Sequence, residues 1–146
     1  MTVDLKGQDI AKEIDERFPG AVVKASGNSI LVKGEHLYSI AQFLKDTPKL
    51  DFDYLNTLIG TDYIDYFEVV YILESLKHNH RLFLKARTYD RGNPTLPSVV
   101  SLWRGADFQE REVFDLLGVT FSGHPNMKRI LMWEGFEGHP LRRDFL

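Results

Sequence analysis

Phe67-Glu68-Val69-Val70-Tyr71-Ile72-Leu73 and Arg81-Leu82-Phe83-Leu84-Lys85-Ala86-Arg87 are the two runs whose reading decides the fold. In the first, Phe67, Val69, Tyr71 and Leu73 fall on one side, and Glu68, Val70 and Ile72 on the other. In the second, Leu82, Leu84 and Ala86 alternate with Arg81, Phe83, Lys85 and Arg87. A period of two residues is that of a strand. Lys77-His78-Asn79-His80 between the runs is polar and of hairpin length. The pattern predicts a long antiparallel hairpin, solvated on part of one face.

Upstream, Ile10, Ile14 and Phe18 recur every four residues, which predicts a helix over 8–18 stopped by Pro19-Gly20. Ala21-Val22-Val23 and Ser29-Ile30-Leu31-Val32 flank Gly27-Asn28 and read as a tight hairpin. Leu37, Ile40, Ala41 and Leu44 share one face of a helix over 35–46, which Pro48 prevents from continuing. Tyr54-Leu55 and Leu58-Ile59, spaced four apart, predict a short helix ending at Gly60. Downstream, Asp90 to Leu96 reads as a loop, and Ser98 to Arg104 as a short helix with Leu102 and Trp103 buried. A helix from Phe108 to Leu117 ends on Gly118, with Asp107 and Glu110 spaced as a capping box. Val119-Thr120-Phe121 is extended. The order implies an α+β class: an antiparallel sheet with helices packed on one face and an extended C-terminal tail. The expected division is an α+β domain over 1–121 and an extended partner-binding tail over 122–146 that does not fold independently.

The chain has 146 residues, 43% of them hydrophobic, with ten Phe. This suits one domain with a sizeable core. There is no cysteine. Disulfides, iron–sulfur ligation and cysteine nucleophiles are thereby excluded for this chain, and a reducing compartment is implied. A formal charge of −3 is not the basic surplus that nucleic-acid binding requires. No apolar run is long enough to span a membrane, and the amino terminus lacks the basic-then-apolar order of a signal peptide.

Charge is densest on the helix from Phe108. Arg111 and Asp115 lie four apart, Glu112 and Asp115 three apart. Two readings stand: an exposed ion pair on a solvated face, worth little, or a charged patch for a partner. Arg preceding Asp is the weaker order against the helix dipole, so local stability explains the cluster poorly. Paired acids can serve as general acid and base, but no phosphate loop and no nucleophile turn accompany them. His78 and His80 share a strand face without a third ligand, which reads as a polar hairpin tip. His124 and His139 each stand between Gly and Pro and read as rigid bends rather than metal ligands. The tail interleaves Lys128, Arg129, Arg142 and Arg143 with Ile130, Leu131, Met132, Trp133, Phe136, Leu141 and Phe145. That mixture fits a strap laid over another protein, or aromatics folded back on the domain.

Glu110-Arg111-Glu112-x-x-Asp115-Leu116-x-Gly118-Val119-x-Phe121-x-Gly123-His124-Pro125 resembles the signature of the NuoC-type family of complex I. The match continues through Lys128-Arg129-Ile130-Leu131-Met132 and again from Glu137 to Phe145. Phe67-Glu68-Val69-Val70-Tyr71 and Pro97-Ser98-Val99 also fit. Trp133 stands where the family usually has proline, and Gly135-Phe136 where Asp-Trp is common. The resemblance implies a subunit without a redox centre of its own, in the peripheral arm of proton-translocating NADH:quinone oxidoreductase. NADH, FMN, iron–sulfur clusters and quinone would be held by other chains. The implied partners are the quinone-site subunit, which is related to the hydrogenase large subunit, and neighbouring iron–sulfur subunits. The implied place is peripheral, on the cytoplasmic side of a bacterial cell membrane, with self-association expected of the isolated chain. Carried over, Glu110, Arg111, Glu112 and Asp115 shape a charged docking face, and His124 and Pro125 turn the chain out of the core. Lys128, Arg129, His139, Arg142, Arg143 and Asp144 anchor the tail to neighbours. Two alternatives remain at this point: the equivalent subunit of a membrane-bound hydrogenase or ferredoxin-fed dehydrogenase, and a stand-alone interaction module.

Overall fold

The computed structural model describes residues 2–132 and 137–143. Its elements are β1 (Val3–Asp4), α1 (Gly7–Arg17), β2 (Val22–Ser26), β3 (Ser29–Lys33), a 3-10 turn (Gly34–His36) leading into α2 (Leu37–Asp46), β4 (Tyr54–Asp62), β5 (Phe67–Ser75), β6 (His80–Thr88), β7 (Thr95–Pro97), α3 (Ala106–Leu117) and β8 (Thr120–Ser122). The expected hairpin is present: β5 and β6 pair antiparallel from Phe67 opposite Thr88 to Ser75 opposite His80. Its inward side chains, Phe67, Val69, Tyr71, Leu73, Leu82, Leu84 and Ala86, are all fully buried. They join one apolar cluster with Ile14 of α1, Leu37, Ile40 and Leu44 of α2, Trp103, and Val113 and Leu117 of α3.

The sheet runs β2-β3-β6-β5-β4, with β1 also on β6. It is mixed rather than purely antiparallel, because β3 and β1 lie parallel to β6. The α2 segment and the β4–β5 hairpin form the long connection that returns the chain parallel to β3. On the face away from the helices, Glu68 stands opposite Arg87 and Ile72 opposite Phe83. Glu68 and Arg87 form an ion pair at 3.0 Å.

Three expectations fail in instructive ways. The segment Tyr54–Asp62 is a strand, not a helix. A bulge at Asn56 separates the register pairs Leu55–Leu73 and Thr57–Ile72, so inward residues fall at 55 and 58 and mimic a helical interval. Ser98 to Arg104 forms isolated turns, closed by Val99 O accepting from Leu102 N and Trp103 N. Trp103 is buried there, and its indole N–H donates to Phe52 O. The described tail residues do not extend away from the domain; they fold back on α3.

Both outer strands are irregular, since β2 also carries a register shift, between Val22 and Lys24. On the other rim, Gln109 of α3 covers β4 by accepting from Leu58 N at 2.6 Å. α3 lies tight on this strand, where a Cβ at Gly60 would come within 2.8 Å of Val113 and Leu117 carbons.

Candidate docking surface: α3 and the segment that closes it

A helix leaves its last carbonyls without intrahelical donors, and its dipole disfavours negative charge at that end. α3 ends on Gly118, whose φ of 82° is left-handed. A Cβ there would also lie 2.6 Å from the Arg142 guanidinium and 2.7 Å from His139. The following chain supplies the missing donors. Asp115 O accepts from Arg129 Nη2 at 2.7 Å and lies 2.9 Å from His139 Nδ1. Leu116 O accepts from Leu141 N at 2.8 Å, and Leu117 O accepts from Arg142 Nε. Every described C-terminal carbonyl from 115 to 117 is thus closed by residues 129–142.

The Asp115 carboxylate is fully buried. Oδ2 accepts three successive backbone N–H groups, Ile130 at 3.1 Å, Leu131 at 2.6 Å and Met132 at 2.8 Å. Oδ1 accepts from Arg129 Nε. This is an anion nest built of backbone. Burial alone would push the carboxyl up, but the Met132 amide, the Arg129 guanidinium and the other two amides outweigh it and hold it below its usual range. Arg111 donates to Lys128 O at 3.0 Å and Arg129 O at 3.2 Å. The expected Arg111–Asp115 pair is replaced, because each residue finds a better partner in the tail.

At the other end of α3 the Asp107–Glu110 capping box does not form; Gly105 precedes the helix and no side chain caps it. Glu110 is fully buried and turns to the loop before the helix. It accepts from Ser98 Oγ at 2.6 Å and Val99 N at 2.8 Å. Burial raises its carboxyl against those two bonds. The Tyr71 hydroxyl, buried beneath the helices, finds no partner among the described residues; burial, with the Glu110 charge, pushes it up. His124 packs its ring inside, with Nε2 3.0 Å from Asp107 Oδ1 and Nδ1 accepting from Asn126 N at 2.9 Å. The Asn126 bond assigns the Nε2–H tautomer.

The two Gly-His-Pro tripeptides therefore act as a pair, His124 on the first turn of α3 and His139 on the last. Their glycines share a positive φ, 84° at Gly123 and 88° at Gly138. Among the twelve residues singled out from the sequence, Glu110 and Asp115 are buried. Arg111, His124, Arg129, His139 and Arg142 are half-buried and engaged with their own chain, and Glu112, Pro125, Lys128 and Arg143 are exposed. Asp144, with Trp133, Phe136 and Phe145, lies outside the described residues. Sequence reasoning noted Ser98 only as a helix start and within the Pro97-Ser98-Val99 resemblance, gave it no role, and did not single out Asp62. Asp62 accepts from Arg143 N at 2.9 Å, and Arg143 Nε donates to Asp62 O at 2.8 Å. The tail thus also reaches β4. Outward-facing apolar side chains accompany the charges: Phe108, Leu131 and Leu141 are each more than half exposed. Among the described residues no three His, Asp or Glu side chains gather as metal ligands, and no helix is long and apolar enough to cross a membrane.

Residues 30–146 match the family described as the respiratory-chain NADH dehydrogenase 30 kDa subunit. The chain belongs to that family. The C subunit of NADH-quinone oxidoreductase from Roseiflexus castenholzii is 47% identical over 119 residues, covering 80% of this chain and 68% of that protein. Its counterpart in Hyphomonas neptunium is 40% identical over 144 residues, covering 94% and 70%. Among solved structures, a chain of an archaeal membrane-bound sulfane sulfur reductase superposes with a TM-score of 0.76. It is 23% identical, with 94% of this chain and 84% of that one covered. At that identity the likeness concerns the fold alone. Family membership extends to the α3–tail region just described, since the matched residues include all of it.

Proposed function

We propose that this chain is the non-redox scaffold subunit of proton-translocating NADH:quinone oxidoreductase, supporting electron transfer from NADH to quinone through centres in other chains. It docks on the quinone-site subunit and the adjoining iron–sulfur subunits through the α3–tail surface. The observation that carries the docking assignment is the division of labour on this surface. Glu110, Asp115, Arg129, His139, Arg142 and Arg143 spend polar groups on their own chain, which leaves Glu112, Lys128, Phe108, Leu131 and Leu141 facing outward. Apolar anchors rimmed by charge have the composition of an interface. The tail therefore presents a pre-formed surface rather than a free strap, which lowers the ordering cost of association.

The test is affinity capture of the chain from mildly solubilised membranes. Co-recovery of quinone-site and iron–sulfur subunits is expected. Exposed Glu112→Lys should reduce that recovery while changing the stability of the isolated chain by less than about 0.5 kcal/mol. Recovery of the chain alone, where other membrane complexes stay intact, sinks the proposal.

A further inference from the structure

The tail meets a second buried carboxylate besides Asp115. Asp62 is the last residue of β4, and its side chain is 1% exposed. Three segments supply its donors. Arg91, between β6 and β7, donates through Nη1 and Nη2 at 2.7 and 3.0 Å. Ile64 N, in the turn between β4 and β5, donates at 2.8 Å. Arg143 N, 81 residues away in sequence, donates to Oδ2 at 2.9 Å. The Asp62 carbonyl accepts from Arg143 Nε at 2.8 Å. First the Arg91 bond, then the Arg143 and Ile64 amides, hold the carboxyl far below its usual range despite burial. The socket therefore stays charged, and a buried charge is tolerated only while its donors stay in place.

The neighbouring tail residues are bound to a different element. Leu141 N donates to Leu116 O and Arg142 Nε to Leu117 O, both at the end of α3. The Arg142 guanidinium also lies 5.1 Å from the centre of the Phe67 ring of β5, which Arg91 approaches at 4.6 Å. Residues 141–143 thus stitch the end of α3 to the rim of the sheet. The turn itself does not call for this stitch, because Arg91 and Ile64 N already hold Asp62 there. What the stitch sets is the course of the tail. Leu141, 59% exposed, has its own amide on α3 and, two residues on, Arg143 on β4.

We propose that Asp62 is a positioning residue for docking: by holding Arg143 it fixes the end of the tail on the sheet, so that Leu141 and the α3 face meet partner subunits in one arrangement. Asp62 is too deeply buried to touch a partner itself. Its contribution is preorganisation, since a surface already fixed loses less freedom on association. The inference rests on the docking function proposed above.

Arg143→Ala removes the side-chain bond to Asp62 O and leaves Asp62 with Arg91 and Ile64. The isolated variant should melt within about 2 °C of wild type. Hydrogen exchange at the amide of residue 143 should quicken at least about tenfold, while Ile130, Leu131 and Met132 stay protected. Capture from solubilised membranes should recover partner subunits at least about fivefold less efficiently. Arg143→Lys, which keeps a donor for the carbonyl, should recover most of the assembly. Asp62→Asn weakens the same socket from the buried side and should lower capture too, and adding Arg143→Ala to it should cost little more.

Protection retained at residue 143 in Arg143→Ala overturns the latch. Undiminished capture after that protection is lost overturns its role in docking. Losses that simply add in the double variant mean that Arg143 meets the partner directly, which also overturns the assignment to Asp62. Where Asp62→Asn does not fold, the Lys variant decides: capture as poor as that of Arg143→Ala overturns the proposal. All these outcomes leave the docking function standing if the wild-type chain still recovers its partners. Failure of the wild-type chain to capture any partner overturns both.

Discussion

The two ends of α3 each bury a carboxylate, and they are treated in opposite ways. Glu110 and Asp115 are equally inaccessible to water. Glu110 receives one hydroxyl and one amide and is raised. Asp115 receives three amides and a guanidinium and is lowered. Glu110 lies deeper and has fewer donors, so burial wins there; at Asp115 the donors together outweigh burial. Asp115 also stands in the last helical turn, where the dipole disfavours its charge. It is tolerable there only because residues 129–132 wrap it. The fold-back of the tail is thus the answer to an electrostatic problem posed by the helix, and the charge that looked like a surface feature is the bolt holding the tail.

The sharpest way to break this contrast is to neutralise each acid in turn. Asp115→Asn should cost about 3–5 kcal/mol, since the half-buried guanidinium of Arg129 and part of the amide nest lose their countercharge. Hydrogen exchange at Ile130, Leu131 and Met132 should accelerate. Glu110→Gln should change stability by less than about 1 kcal/mol, because it removes a charge that burial penalises. Equal losses at the two sites, in denaturant melts, would erase the distinction. An intermediate effect is expected from Gly118→Ala, about 1–2 kcal/mol for the left-handed backbone, with displacement of His139 and Arg142 visible as loss of protection at Leu141 N. Protection retained there would mean the tail closes without them.

Acid provides the gentlest probe. Asp115 has a lowered folded value, so its contribution is complete above the ordinary value of 3.8 and disappears as pH falls through the folded value. Glu110 has a raised folded value, so its site gains on acidification and loses as pH climbs above 4.5. Below about pH 4 the tail amides should begin to exchange faster while the Ser98–Val99 loop stays protected. Simultaneous loosening of both would show that the ends of α3 are not independent.

The same contrast explains what the sequence disclosed. Strict alternation in β5 and β6 revealed the hairpin because both strands are central and one face is wholly apolar. β4 escaped because one extra residue, Asn56, converts a two-residue period into a three-residue interval. The parallel β3–β6 pairing escaped because nothing local marks which distant strand a run will join. The stop at Gly118 was legible from the glycine itself. The apparent capping box misled because Glu110 accepts from Ser98 and Val99 of the preceding loop instead of turning back to the helix start. Arg111 and Asp115 had the spacing of a pair, but spacing cannot reveal that residues 128–132 return to claim both. In the α3–tail region, residue types drew attention to the segment, but which side chains turn inward and which outward depends on the returning residues 128–142 and has no local signal.

The irregular outer strands bear on how the polypeptide survives before it meets its neighbours. An outer strand with a regular ladder of free amides is a template for adding strands from other copies, the route to fibrils. Here each rim is spoiled: β2 is short and out of step at Val22–Lys24, and β4 is kinked at Asn56 with Gln109 lying across it. Both outer strands of the larger sheet thus offer a poor template for main-chain pairing between copies that have not yet met their partners.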